Sequence, residues 1–382
     1  MDLTSIFEFI AAFIKGGFIR TIAQDPRIQF GTERRPLLLA QYLPVVRTDT
    51  NVLVDQILRF GELIADDGSP MAPPQIKRPP AAALPMTTRL GHLDIAVQMS
   101  GEDMQRLGNL LTGTDRSAAQ GFVARWLTTN VRLALESKAE LQRAQAIADA
   151  RVSIVNKDGD TLQVNIPNPA GHRVLVPSGT LAAPAGWYAD GYDPLINDIL
   201  PMKQLLASKG YVIRAIIYST RIQGVLLSND TIIRRSGGGG IVVTSTGQLQ
   251  PILGSTNDAA LGALFAANGL PIPTIYDRFY NTQVGSYRYI SDDKMIFICS
   301  TGQDREIEFL TEQGLKRELL GDVLGYYGEG ISAGQITSGT VITLKTSDVK
   351  PVGIYCEGYR EGFPVIQHPE AIGVITIPAP TA

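Results

Sequence analysis

SAAQGFVARWLTTNVRLALESKAELQRAQAIADA, residues 117–150, is the stretch whose reading decides the fold. It holds no proline and one weak position, Gly121, while Val123, Trp126, Leu127, Val131, Ala134, Leu135 and Leu141 recur at helical spacing. The spacing predicts one helix of roughly 50 Å at 1.5 Å per residue. The simplest reading of Trp126 and its apolar neighbours is core packing, which makes the helix a spine for the rest of the chain.

Immediately upstream, Ser100 with Asp103 resembles a capping box, and a short helix is expected to about Leu111 before Thr112 to Arg116 interrupts it. Before that come two strand-like runs, Val52 to Ile64 and Thr87 to Met99, around a tip carrying Pro70, Pro73, Pro74, Pro79, Pro80 and Pro85. Those prolines forbid helix and weaken any sheet ladder there. A hairpin of this length reaches about 40 Å at roughly 3.3 Å per residue. A lone two-stranded hairpin is marginal in water, so it is expected to rest on a neighbouring subunit.

The first 47 residues read as an arm. Ile6, Phe7, Phe9, Ile10, Phe13 and Ile14 form an amphipathic helical stripe, interrupted by Asp2 and Glu8, with neither a basic leader segment nor a cleavage site. Breakers at Gly16-Gly17, Asp25-Pro26 and Arg34-Arg35-Pro36 leave no room for a compact unit. Lys15, Arg20, Arg27, Arg34, Arg35 and Arg47 outnumber Asp2, Glu8, Asp25 and Glu33, so the arm suits phosphate or a neighbour's carboxylates equally. The arm is expected to reach under a neighbour. No apolar run approaches the roughly 18 residues of a membrane span.

Downstream of the spine, Val152 to Val155 and Leu162 to Ile166 alternate around Lys157-Asp158-Gly159-Asp160, a hairpin signal. A mixed α/β region follows. Asp193-Pro194 opens a helical pattern to Gly210 with a kink at Pro201, and Tyr211 to Tyr218 is a buried-strand candidate. Thr220 with Gln223 suggests a capped helix to about Leu227, and Asn257 caps an alanine-rich helix ending near Gly269. Strands are expected at Ile275 to Tyr280, Met295 to Cys299, Val341 to Leu344, Val352 to Tyr359 and Ala371 to Ile377.

Chemistry is hard to find. With 382 residues, 19% of them charged, the chain can bury a sizeable core, and a net charge of −3 gives no bulk attraction to nucleic acid or membrane. Cys299 and Cys356 lack metal or redox spacing and read as buried thiols. His92, His172 and His368 are far apart, with no HExxH and no GxSxG elbow. Ser236 to Gly240 is followed by Ile241-Val242-Val243, not the Lys-Ser/Thr and helix that a phosphate loop needs. The acidic pairs Asp66-Asp67 and Asp292-Asp293 sit in turn-like sequence. No catalytic, cofactor-binding or metal-ligating residue is nominated.

The order of parts is more informative than any motif. Leu37-Leu38-Leu39 to Leu43-Pro44-Val45-Val46, Ser100-Gly101-Glu102-Asp103-Met104 and Val155-Asn156-Lys157-Asp158-Gly159 come first. Gly191-Tyr192-Asp193-Pro194 with Asp198, Ala260-Leu261-Gly262-Ala263-Leu264, Tyr276-Asp277 and Tyr289-Ile290-Ser291-Asp292-Asp293-Lys294 follow, then Phe363-Pro364-Val365 and His368-Pro369-Glu370-Ala371. Taken in this order over nearly the whole chain, they resemble the major capsid protein of a tailed bacteriophage, and more narrowly the major capsid protein E family with the Hong Kong 97-type (HK-97) shell fold. The segment Gly237 to Gly254 departs from that pattern as a glycine-rich insertion.

The resemblance implies an α+β chain: an N-terminal arm (1–47), an extended E-loop hairpin (48–99), a P-domain with the spine helix and its hairpin (101–178), an A-domain of mixed sheet flanked by helices (179–346) and a return segment to the P-domain (347–382). It implies no enzymatic activity and no cofactor. It implies hexamers and pentamers of this chain tiling an icosahedral head that expands from a procapsid, in contact with packaged double-stranded DNA and with scaffold, portal and decoration or cement proteins. No membrane is involved, and the expected place is the virion after assembly in the host cytoplasm. The expected subunit contacts are Met71, Lys77 and Arg78 at the hairpin tip and Arg125, Trp126 and Arg132 on the spine helix. Some shells of this fold are covalently linked through a loop lysine; Lys77 is the only lysine of the tip, and ionic contact is its simpler role. Two rival readings are an encapsulin-type compartment shell and a two-domain α/β enzyme.

Overall fold

The computed structural model describes residues 3–25, 27–28, 31–32, 35–48, 52–58, 83–113, 116–155, 161–237, 239–243, 249–253, 256–282, 285–301, 305–311, 314–320, 323–332, 338–347 and 353–381. The long helix is present and unbroken, from Arg116 through a π turn at Thr128–Arg132 to Asp149. The sequence gives no warning of the π turn. Asn130 accounts for part of it, because its side-chain amide donates to the Trp126 carbonyl at 3.0 Å where the ladder widens. The helix stops at Ala150, which takes the left-handed conformation (φ 51°) so that the chain can turn at once into the strand Arg151–Val155. That strand pairs with Thr161–Asn165 as expected; the turn between them lies outside the described residues.

The short helix Gly101–Thr112 begins as predicted, with Ser100 Oγ accepting from the Asp103 amide at 3.1 Å. Asp103 is too short to reach back to the Ser100 amide and instead accepts from the Ser100 hydroxyl at 2.8 Å.

Two five-stranded sheets flank the spine. The first runs Thr274–Ile275, Val212–Tyr218, Lys294–Ser300, Ile372–Thr376, Arg173–Leu175. Its centre, Met295 to Ile298, is wholly buried, as a strand covered on both faces must be. The second collects Val341–Ser347, Gly353–Ile366, Gly325–Glu329 and Val45–Arg47, with Gly91–Gln98 also paired to Gly353–Ile366. This long strand lies so close to the spine that a Cβ at Gly358 would meet the Val131 side chain at 2.3 Å. Gly325–Glu329 and Val341–Ser347 join the spine-side sheet, while Ile372–Thr376 returns to the other.

Several local expectations shift. The run Thr87 to Met99 breaks at Leu90: Ala83–Arg89 pairs with Val52–Leu58 in a two-stranded ribbon, and Gly91–Gln98 enters the sheet. Pro85 stands inside the ribbon opposite Gln56, tolerable because each strand of a two-stranded ribbon has a free edge. The helix after Tyr218 is capped one residue early, by Ser219, and Gln223 is drawn off to Asp258. A second helix, Asp230–Arg235, follows behind an Asn229 cap. A π turn at Leu195–Ile199 precedes Pro201, and the helix runs on to Ser208. The run Ile275 to Tyr280 divides between the sheet edge Thr274–Ile275 and a separate hairpin, Phe279–Asn281 with Ser286–Arg288. The arm is the largest correction. The helices Leu3–Lys15 and Phe18–Gln24 pack on their own chain, where Ile6, Ile10, Phe13, Ile19 and Ala23 share an apolar cluster with Leu107, Val123, Trp126, Leu127 and Val131.

Candidate assembly surfaces

The spine helix carries charge into the interior. Arg132, Glu136, Glu140 and Arg143 follow one another at intervals of four, four and three residues, which puts them on one face, and all four are buried. Glu136 accepts from Arg360 at 2.9 Å and pairs with Arg132 at 2.8 Å; Arg360 also pairs with Glu329 at 3.0 Å. Thr340 bridges Arg132 and Glu329 by its hydroxyl. Glu140 accepts from the Leu39 amide of the arm at 2.8 Å and from the Tyr276 hydroxyl at 2.9 Å, while Arg143 donates to the Leu43 carbonyl at 3.0 Å. The guanidiniums of Arg143 and Arg360 each lie 4.7 Å from the Tyr327 ring.

Three guanidiniums and three carboxylates thus tie the spine to the arm, to the spine-side sheet and to the Tyr276 segment. Burial alone would raise the Glu136 carboxyl, but Arg132 and Arg360 outweigh it and hold the group at about 2. For Glu140 the balance reverses, and burial lifts it above the ordinary carboxylate range despite Arg143. Burial lowers Arg132, and a guanidinium still stays protonated in a protein. The regular spacing of these charges is the one sequence signal that could have revealed the network, and in isolation it reads as a solvated face.

Arg125 is exposed on the spine helix. Trp126 is 8% exposed and covered by the arm's apolar cluster, and Arg132 is turned into the ionic network. Met71, Lys77 and Arg78 lie outside the described residues. The histidines are not brought together: His92 meets Glu361 at 2.6 Å, His172 contacts the Ile372 carbonyl at 3.0 Å, and His368 is buried apart from both. Cys299 and Cys356 are free and buried, their thiols pushed up to about 12 by burial. Among the described residues no cluster of His, Cys, Asp and Glu could hold a metal, and no helix is long and apolar enough to cross a membrane.

No family model matches the sequence, and neither does any curated protein sequence. Solved structures do match. A protein assigned as the capsid protein of a prophage from Escherichia coli CFT073 superposes with a TM-score of 0.55 at 14% identity, over 95% of this chain and 97% of that one. The chain has the Hong Kong 97-type shell fold. A phage-related protein from Bordetella bronchiseptica RB50 also aligns, with a TM-score of 0.50 at 13% identity over 93% and 97% of the two chains.

Proposed function

We propose that the chain is the major capsid protein of a phage-type particle, a non-enzymatic subunit that closes on copies of itself as hexamers and pentamers around double-stranded DNA. The likeness to the prophage capsid protein over 95% of this chain and 97% of that one supports this reading. Physical chemistry supports it: a two-stranded ribbon gains little stability alone, and strand-like arms acquire it by lying on a neighbour. The ribbon lies across the spine helix of the adjacent subunit, with Met71, Lys77 and Arg78 at its tip and Arg125 on the exposed side of the helix. Trp126 and Arg132 act from beneath, by fixing that helix to its own subunit. Scaffold, portal and decoration proteins are the partners such a shell uses.

Expression of the chain followed by negative-stain microscopy tests the reading. Closed shells are expected; a chain that stays dispersed at high concentration overturns it. Shells that protect a protein cargo and no DNA from digestion would make it a compartment shell instead. Removal of residues 66–84 tests the ribbon, and normal closed shells from that variant would end its inter-subunit role.

A further inference from the structure

The helix Leu3–Lys15 carries more apolar surface than the described chain covers. Ile6, Ile10 and Phe13 are buried in the cluster beneath it. At about 100° per residue, Phe7, Ala11 and Ile14 form a second apolar row beside them, spaced by four and three residues. Phe7 is half-buried, Ala11 is exposed and Ile14 is 41% exposed. An amphipathic helix with one partner needs one apolar stripe, and this helix has two.

Glu8 and Lys15 border the second row on its solvent side, three residues before Ala11 and four after it. Both are exposed, and among the described residues neither has an ion pair or a hydrogen bond. They cannot reach each other, because seven residues of helix separate them by about 10 Å. In an antiparallel pair of these helices crossing at Ala11, each Glu8 faces the Lys15 of the other copy. Phe7 then lies beside the other Ile14, and the small Ala11 side chain stands at the crossing, where two helices come closest. The row answers itself, apolar against apolar and carboxylate against ammonium, as a two-fold contact between identical surfaces requires. A parallel pair offers neither charge an opposite one.

Building on the capsid reading, we propose that the helix Leu3–Lys15 pairs antiparallel with the same helix of a second copy, about a two-fold axis at Ala11. Two 13-residue helices make a contact that is small beside the roughly 1,200 Å² of a stable interface. The pairing therefore forms where other contacts of a shell have already brought two subunits together. The buried stripe holds the arm to its own subunit while the outer row reaches the next.

Disulfide trapping in assembled shells tests this. Cys299 and Cys356 are buried, so a cysteine placed on the exposed side of the helix is the thiol open to oxidation. Shells of Ala11→Cys should give linked dimers on oxidation, because a residue on a two-fold axis meets its own copy. Thr4→Cys lies about 20 Å from its copy in this geometry and should stay monomeric. Ala11→Cys shells without dimers, or equal dimer yields at positions 4 and 11, overturn the proposal. The charges give a second reading. Glu8→Lys added to Ala11→Cys should lower the dimer yield several-fold, and Lys15→Glu added to both should restore it. Failure to restore also overturns the pairing. If the unmodified chain forms no shells, the capsid reading itself falls; shells whose Ala11→Cys variant stays monomeric defeat only the pairing.

Discussion

The two halves of the spine helix are held by opposite means. From Arg116 to Leu127 the helix offers Ala119, Val123 and Leu127 to the arm, and the contact is apolar. From Leu133 to Asp149 it buries Glu136, Glu140 and Arg143 among partners from distant parts of the chain. The π turn at Thr128–Arg132 lies between them. An apolar contact can slide and still be satisfied, whereas a buried ion pair is right in one geometry only. The first half therefore suits an attachment that adjusts, and the second fixes the register between spine and sheet.

The largest effect should come from Glu136→Ala, which takes away the carboxylate that Arg132 and Arg360 share and leaves both to Glu329, which Arg132 reaches only through Thr340. Breaking one partner of a buried pair costs about 3–5 kcal/mol, readable as a lower urea midpoint of the unassembled chain. If the loss is no greater than for an exposed residue, the contrast between the halves is wrong. The wild-type contribution of Glu136 should be complete above about 4.5 and drain away as pH falls towards about 2, the direction for a carboxyl held below its ordinary value.

Next comes Leu127→Ala, a cavity change in the apolar half expected to cost about 3 kcal/mol. Unlike Glu136→Ala, it should leave the pH dependence of stability untouched. Ser100→Ala should cost about 1 kcal/mol through the lost cap. Ala150→Gly should be the reverse, a gain of up to about 1 kcal/mol as left-handed strain is relieved; a loss would show that the buried methyl outweighs the strain.

Glu140→Gln should have the smallest effect near neutral pH, because a glutamine oxygen can still accept from Leu39 and Tyr276. Its mark is in the slope. A raised carboxyl contributes stability at acid pH that is lost as pH rises through the folded value, so removing it should flatten the stability curve above about 4.5. Parallel curves for the variant and wild type would show that Glu140 does not carry the charge assigned to it.

Much of the architecture was legible because it rests on local rules. The Val123 to Leu141 stripe, the Ser100 and Asn257 caps and the turn at Gly269 are set by neighbours along the chain. What escaped depends on partners far away in sequence. Arg360 lies 224 residues from Glu136, so no window could show that the charged stripe of the helix was buried. The division of Ile275 to Tyr280 likewise follows from Val212–Tyr218 pairing with Thr274–Ile275 while Phe279 and Tyr280 enter a separate hairpin. The arm was misplaced for a similar reason, since an amphipathic stripe declares that it will dock but not on which copy of the chain. Of the expected contacts, Arg132 shows the same limit: its type suggested an interface, and its surroundings made it a tie within the subunit.

The strand Gly353–Ile366 holds together widely separated pieces of the chain, pairing with Gly91–Gln98, Gly325–Glu329 and Val341–Ser347. A chain made from its N-terminus cannot form this pairing of Gly91–Gln98 until Gly353–Ile366 has been synthesised. Such late, long-range closure slows folding. It also sets an order of events, because the sheet beside the spine helix is finished only after Gly353–Ile366 has been made. A chain that stops short of Gly353–Ile366 therefore lacks the strand that joins Gly91–Gln98, Gly325–Glu329 and Val341–Ser347 into one sheet beside the spine helix.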